Sequence, residues 1–191
     1  IIAIADVAAY VSSDSPLDRE ARMRGNSVYL PGAVIPMLPE ALSNGVCSLR
    51  PDEDRACLAV EIIISSNGLK QNHRFVRGLM RSHARLTYTA VQQVIEGQID
   101  ESDLPVPTGV LHHLIGAYRC LSAARTMRGT LHLDMPERRI LFSDNGHAEA
   151  AIIRRQQEAN QLIEEFMIAA NICAAEQIEA KHGICVYRVH D

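Results

Sequence analysis

No stretch of this sequence approaches the roughly 18 consecutive apolar residues that a membrane-spanning helix needs, so no part of it is expected to cross a bilayer. No basic-then-apolar leader opens it, and nothing argues for secretion; a cytoplasmic protein is expected. The five cysteines (Cys47, Cys57, Cys120, Cys173 and Cys185) are odd in number, scattered and set among apolar residues, and neither a CxxC nor an HxxxH spacing occurs. That argues against a disulfide framework or a zinc site and for reduced, buried thiols. GxGxxG and GxxxxGK[ST] are both missing, which removes the common nucleotide-phosphate loops. No GxSxG nucleophile elbow is present either, nor any internal repeat or low-complexity segment.

What is present is a chain of 191 residues, 47% hydrophobic and 22% charged, enough for one domain or a large piece of one. Nineteen basic against 23 acidic residues leave a net charge of -4. That total weakly disfavours a nucleic-acid binder, which usually has a basic footprint, but a local basic groove or metal-holding acids remain compatible with it.

The opening "IIAIADVAAYV" reads as a buried strand from Ile1 to about Val7, and a chain that begins inside a strand looks like an excised piece. In "SDSPLDREARMRG", Ser15 caps a short helix, Pro16 suits its first turn and Gly25 stops it. The prolines and glycine of "SVYLPGAVIPMLPE" predict an ordered extended loop with a short strand around Tyr29. "ACLAVEIIISSNGLKQNHRFVRGLM" predicts two antiparallel strands joined at Ser66-Asn67-Gly68. "LTYTAVQQVIEG" is a short helix ended by Gly97, and "QIDESDLPVP" an acidic surface linker. An amphipathic helix runs from about Thr108 to Arg128, carrying Leu111, Leu114, Ile115, Tyr118 and Leu121. A meander with an Asn145-Gly146 turn follows, then a long helix from about Gln156 to Lys181, and "ICVYRVH" returns as a strand. The fold class is α+β, with mixed and antiparallel strands and hairpins packed around a long central helix.

That helix poses the sharpest question. At about 100° per residue, Leu162, Ile163, Phe166, Met167, Ala170 and Cys173 form one apolar face. Ile168, Ile172 and Ala175 make much of the other side apolar, so the helix is expected to be largely buried. Asn160, Glu164 and Asn171 fall on one narrow stripe, and a carboxylate there costs free energy unless something satisfies it. The stripe is either a structural polar network or a reader of a hydroxyl-bearing ligand. Tyr29 is a loop-covering residue or a platform for a base, worth about 1–3 kcal/mol per stacked base. Tyr88, at a helix start, packs or recognises. His132 points away from Leu131 and Leu133, as a surface residue or a stacking partner. His112 and His113, adjacent on a helix, diverge too much to share a ligand and read as surface histidines.

Three blocks together carry a resemblance. They are "AIADVAAYV" with "SPLDREARMRGNSVYLPGAVIPMLPEALSNGVCSLRP", then "RSHARLTYTAV", then "EANQLIEEFMIAANICAA" with "VYRVHD". The chain resembles, from end to end, the catalytic RNB domain of the ribonuclease II and ribonuclease R exoribonucleases. The resemblance implies processive 3′-to-5′ hydrolysis of single-stranded RNA to nucleoside 5′-monophosphates, with magnesium acting by two-metal chemistry in a narrow channel. It implies single-stranded RNA as partner, DNA as a poor substrate and no membrane. Tyr29 in "VYLPG" matches the family's tyrosine that stacks at the 3′-terminal nucleotide. Tyr88 in "ARLTY" and Glu164 in "LIEEFMIAAN" match residues implicated in choosing RNA over DNA, Glu164 by accepting from a ribose 2′-hydroxyl. His132 in "GTLHLD" stands where the family often has a phenylalanine opposing the first tyrosine, a departure that leaves less stacking area.

The family's metal-binding aspartates lie upstream of the "IADV" strand, and an arginine-bearing "SPxRRYxD"-like motif lies downstream of Asp191. The OB-type flanking domains are also outside this sequence. Asp6, Asp14 and Asp18 lack the clustered spacing that holds two ions. Residues 1–191 are therefore expected to be the central portion of one RNB domain, with no catalytic or metal-ligating residue of their own, magnesium ligands elsewhere, and no hydrolysis by these residues alone.

Overall fold

The computed structural model describes residues 1–130, 137–143, 145, 147–154 and 156–187. Its main sheet has three antiparallel strands in the order β1 (Ile2–Ala5), β4 (Asp54–Ile64) and β5 (Lys70–Arg81). Ile2 pairs with Val60 and Ala5 with Cys57, while Val60 faces Phe75 on the other side. The run of β-branched and small apolar residues in β4 suits this central position, and Cys57 and Val60 are its buried residues. The β4–β5 turn is closed by Gly68 N–H donating to Ser65 O (2.9 Å) and Ser65 N–H to Leu69 O (2.9 Å). Gly68 has φ +75°, which only a residue without Cβ adopts at little cost. The expected first strand stops at Ala5, and a short 3₁₀ turn, Val7–Ala9, succeeds it.

The local signals in the first helix act as expected. In α1 (Pro16–Arg24), Ser15 Oγ accepts from Asp18 N–H at 3.2 Å and Gly25 ends the helix with φ 73°, a capping pair at the two ends. The following segment is more regular than the extended loop expected there. β2 (Val28–Leu30) and β3 (Ala33–Ile35) form their own antiparallel hairpin with Tyr29 opposite Val34. Pro31 presets one turn position and Gly32, at φ +80°, supplies the next.

Two helices pack beside the main sheet, and a third packs on the longer of them. α2 (Tyr88–Ile95) is capped by Thr87, whose Oγ1 accepts from Ala90 N–H at 3.2 Å. α3 (Val110–Met127) begins at Gly109, and the acidic linker does more than cover surface. Glu101 accepts from Gly109 N–H (3.0 Å) and Leu111 N–H (2.6 Å), so a carboxylate from that linker occupies the positive end of α3. α4 (Glu158–Ala180) is the long helix. Leu111, Ile115 and Tyr118 of α3 and Leu162 of α4 form the buried core cluster, with Val91 and Ile95 of α2 packed against it. Between these helices and the sheet lies a cavity of about 110 Å³, bounded by Ile2, Ile62, Ile64, Leu114, Leu121 and Phe166 among others. Lys70 of β5 pairs with Glu176 of α4 and fastens the far end of the hairpin.

Two further expectations are corrected. α4 is not apolar-buried on both sides, because Ile163, Met167 and Ile172 are exposed while Ala159, Leu162, Glu165 and Cys173 are buried. The returning strand "ICVYRVH" is absent over residues 184–187, which have no regular structure, and residues 188–190 lie outside the described residues. The meander yields one hairpin, β6 (Glu137–Phe142) with β7 (Ala148–Arg154), in a sheet of its own.

Candidate functional site

The carboxylate of Glu164 faces Arg125, in the last turn of α3, across 3.1 Å between Nη1 and Oε1. Its other oxygen accepts from Gln156 Nε2 at 3.0 Å. The same Arg125 Nη1 donates to Glu165 Oε1 at 2.6 Å, so one guanidinium nitrogen serves two neighbouring carboxylates. The side chains differ sharply in exposure: 18% for Arg125, 8% for Glu165 and 44% for Glu164. Glu165 is thus the carboxylate that is buried, and its charge is offset by a short charge-assisted bond. Glu164 stands at the edge, half in solvent. The hydrogen bond to Glu165 is the largest influence on Arg125 and holds its pKa above the ordinary value, with burial opposing and Glu164 adding to it.

The expected stripe of Asn160, Glu164 and Asn171 is not one network. Asn160 Oδ1 accepts from Gln157 N–H at 3.2 Å and caps the start of α4. Asn171 is exposed and makes no side-chain hydrogen bond among the described residues. Tyr88, the first residue of α2, is partly exposed. One turn later Gln92 Oε1 accepts from Ala159 N–H at 3.1 Å, so the helix that bears Tyr88 satisfies an orphan donor at the start of the helix that bears Glu164. Tyr29 is 77% exposed on β2, and its hairpin shares no hydrogen bond with α2 or α4 among the described residues. His132 lies outside the described residues. His112 and His113 are both exposed on α3.

Two other acids near the start of the chain pair with arginines. Asp6 is buried, with Oδ2 only 2.6 Å from Arg77 Nε. Asp18 accepts from Asp14 N–H at 2.8 Å and pairs with Arg22 at 2.8 Å. Among the described residues no three His, Cys, Asp or Glu side chains gather where they could hold a metal ion. The described residues therefore do not fit a two-magnesium centre. All five cysteines are free, with Cys57 and Cys173 buried and the other three partly so.

A family model described as the RNB domain matches residues 1–191. The chain belongs to the RNB domain family. Ribonuclease R of Escherichia coli is 44% identical over 191 residues, covering all of this chain and 24% of that protein. Exoribonuclease 2 of Edwardsiella piscicida is 39% identical over 194 residues, covering 99% of this chain and 30% of its own. This RNB chain therefore spans about a quarter of the length of the first of these relatives. Mycoplasma genitalium RNase R in complex with ribose methylated single-stranded RNA superposes with a TM-score of 0.92 at 31% identity. That match covers 99% of this chain and 30% of the other. These relatives are ribonucleases by name, and the α+β architecture expected from sequence is the RNB one.

Within this RNB chain, sequence reasoning missed Arg125, Gln156 and Glu165. One signal was available: Leu111, Ile115 and Tyr118 mark the inward stripe of α3, and Arg125 falls seven residues after Tyr118 on that same stripe. A cation at an inward position calls for a buried anion, and Tyr118 itself donates to Gln161 Oε1 of α4 at 2.9 Å.

Proposed function

We propose that this chain is the central portion of the catalytic domain of an exoribonuclease that hydrolyses single-stranded RNA processively from its 3′ end, releasing nucleoside 5′-monophosphates. The observation that carries the reading is the carboxylate of Glu164, half exposed and fixed by Arg125 and Gln156, on a helix hydrogen-bonded to the one that starts at Tyr88. An ionised carboxylate only accepts hydrogen bonds and has about four lone-pair positions. Two are used by Arg125 and Gln156, which leaves room for a donor such as the 2′-hydroxyl that separates RNA from DNA. Tyr88 supplies an aromatic face beside that ribose, and Tyr29 stacks on the terminal base, with His132 as its partner in the clamp. The magnesium that hydrolysis calls for would have its ligands outside these 191 residues, and DNA would be a poor substrate. A cytoplasmic location belongs to the same proposal.

The test is a time course on 5′-labelled single-stranded RNA with magnesium, using the full-length protein that carries this chain. Decay from the 3′ end to a short limit product is expected, and residues 1–191 alone should give none. Glu164→Ala should lower the ratio of RNA to DNA cleavage rates. One hydrogen bond to a charged group is worth about 1.5–3 kcal/mol, so the ratio should fall roughly ten- to hundredfold. An unchanged ratio would remove Glu164 from ribose selection. A full-length protein that binds RNA without shortening it would make the chain a non-catalytic RNA-binding module of the same fold.

A further inference from the structure

We infer that Arg125 is a positioning residue for ribose selection: anchored by the buried Glu165, it fixes the carboxylate of Glu164 in the orientation that receives the 2′-hydroxyl. The inference rests on the reading of Glu164 given above and adds a residue, a partner and a direction of control to it.

The two bonds of Arg125 are unequal in a way that assigns their roles. The shorter, 2.6 Å, runs to the nearly inaccessible Glu165, and the longer, 3.1 Å, to the half-exposed Glu164. Glu165 therefore holds the guanidinium, and the guanidinium holds Glu164. Gln156, from the segment just before α4, grips the second oxygen of Glu164 at 3.0 Å. Each oxygen thus has one protein donor, and the carboxylate plane is defined from both sides. An unrestrained glutamate on a helix edge would have to be ordered by the ligand, at a cost that weakens binding. Here the ordering is done when α3 packs on α4. Both bonds leave one nitrogen, Nη1, whose two N–H directions are fixed in the guanidinium plane, whereas a lysine ammonium rotates about its flexible stem and holds neither direction.

The arrangement also explains the adjacent pair Glu164-Glu165. Neighbouring residues on a helix point about 100° apart, so one carboxylate turns inward and the other lies at the rim. A single cation between them balances the inner charge and orients the outer group.

The experiment uses the full-length protein and a set of RNAs that carry one 2′-deoxyribose at each of the last positions from the 3′ end in turn. For each, kcat/KM is compared with that of the all-ribose RNA, in the unaltered protein and in Arg125→Lys and Glu164→Gln. Arg125→Lys should reduce the ribose preference at the same position as Glu164→Gln. Losing the ordering of one long side chain corresponds to roughly two- to tenfold. Because removing the cation leaves Glu165 buried and unpaired, the double variant Arg125→Met with Glu165→Gln provides the same test without that charge, and it should also lose ribose preference. If Glu164→Gln lowers the preference while both Arg125 variants slow ribose and deoxyribose substrates equally, Arg125 serves the fold only and the inference is overturned. If Glu164→Gln itself leaves the preference unchanged, the reading of Glu164 fails and the inference falls with it.

Discussion

Replacing Gly68 with alanine should destabilise the protein far more than the same change at another glycine of similar positive φ. Gly68 closes the β4–β5 turn at φ +75°, and a Cβ there would lie 2.1 Å from the carbonyl oxygen of Cys120, 2.7 Å from its carbon and 2.8 Å from Ala124 Cβ. Two of these are backbone atoms inside α3, which cannot rotate aside. A left-handed conformation costs an alanine about 1–2 kcal/mol, and forcing a methyl group into filled space adds about 1–3 kcal/mol. The total is about 2–5 kcal/mol, a large part of the roughly 5–15 kcal/mol that holds a domain together. Gly32, at φ +80° with nothing within 4 Å of its would-be Cβ, incurs the conformational cost alone. It also shares with Gly68 the compensating loss of unfolded-chain freedom. Urea unfolding of the two variants, followed by far-ultraviolet circular dichroism, should separate their midpoints by the contact cost, equivalent to about 2–12 °C in Tm for a chain of this size. Equal losses at the two sites would refute the seating of the hairpin turn on α3. The site has a functional side as well, since Ala124 precedes Arg125, and a displaced α3 would carry the guanidinium with it.

Tyr29→Ala should lengthen the limit product of the full-length protein on a denaturing gel, because a lost stacked base, worth about 1–3 kcal/mol, weakens the hold on short ends; a product of unchanged size would take Tyr29 out of the clamp. Burial pushes the Tyr118 hydroxyl above its ordinary pKa, so its neutral form is favoured in the folded state. That contribution is complete below about pH 10 and is lost as the pH rises through the folded value, when the unfolded chain ionises first. Urea midpoints measured from neutral to strongly alkaline pH should fall more steeply for the unaltered protein than for Tyr118→Phe, and parallel curves would contradict the burial argument. Tyr187, raised to about 12 by its hydrogen bond with Glu179, titrates in both proteins and cancels in that comparison.

The elements legible in the sequence are those written in local chemistry. Ser15, Pro16 and Gly25 frame α1, Gly97 follows the end of α2, and the Asn67-Gly68 pair turns β4 into β5, all within a few residues of the cause. The RNB resemblance rested on contiguous blocks and needed no geometry. What could not be read was decided between distant segments. The hydrophobic wheel made α4 apolar on most sides, but only the position of α3 determines that Glu165 turns in and Glu164 stays at the rim. The cap that Glu101 gives to α3 is hidden for the same reason, since an acid in an acidic linker carries no mark of the helix end it will meet. Of the β2–β3 hairpin only the short strand around Tyr29 was legible, because three prolines suggested an extended loop, whereas Pro31-Gly32 is also what a tight turn needs.

The pairing of β1 has a kinetic consequence. β4 and β5 are joined by a short turn and can zip together as neighbours, on the microsecond scale of hairpin formation. β1 must find β4 across all of α1, the β2–β3 hairpin and the segment beyond, as the register Ala5 with Cys57 requires. Closing so long a loop costs only logarithmically more than a short one, but that entropy is spent before the contacts return anything, which slows non-local pairing. The sheet is therefore expected to assemble from the hairpin outward, with β1 docking last onto an edge already formed. By the same reasoning, the amide protons shared by β1 and β4 should exchange with solvent before those shared by β4 and β5.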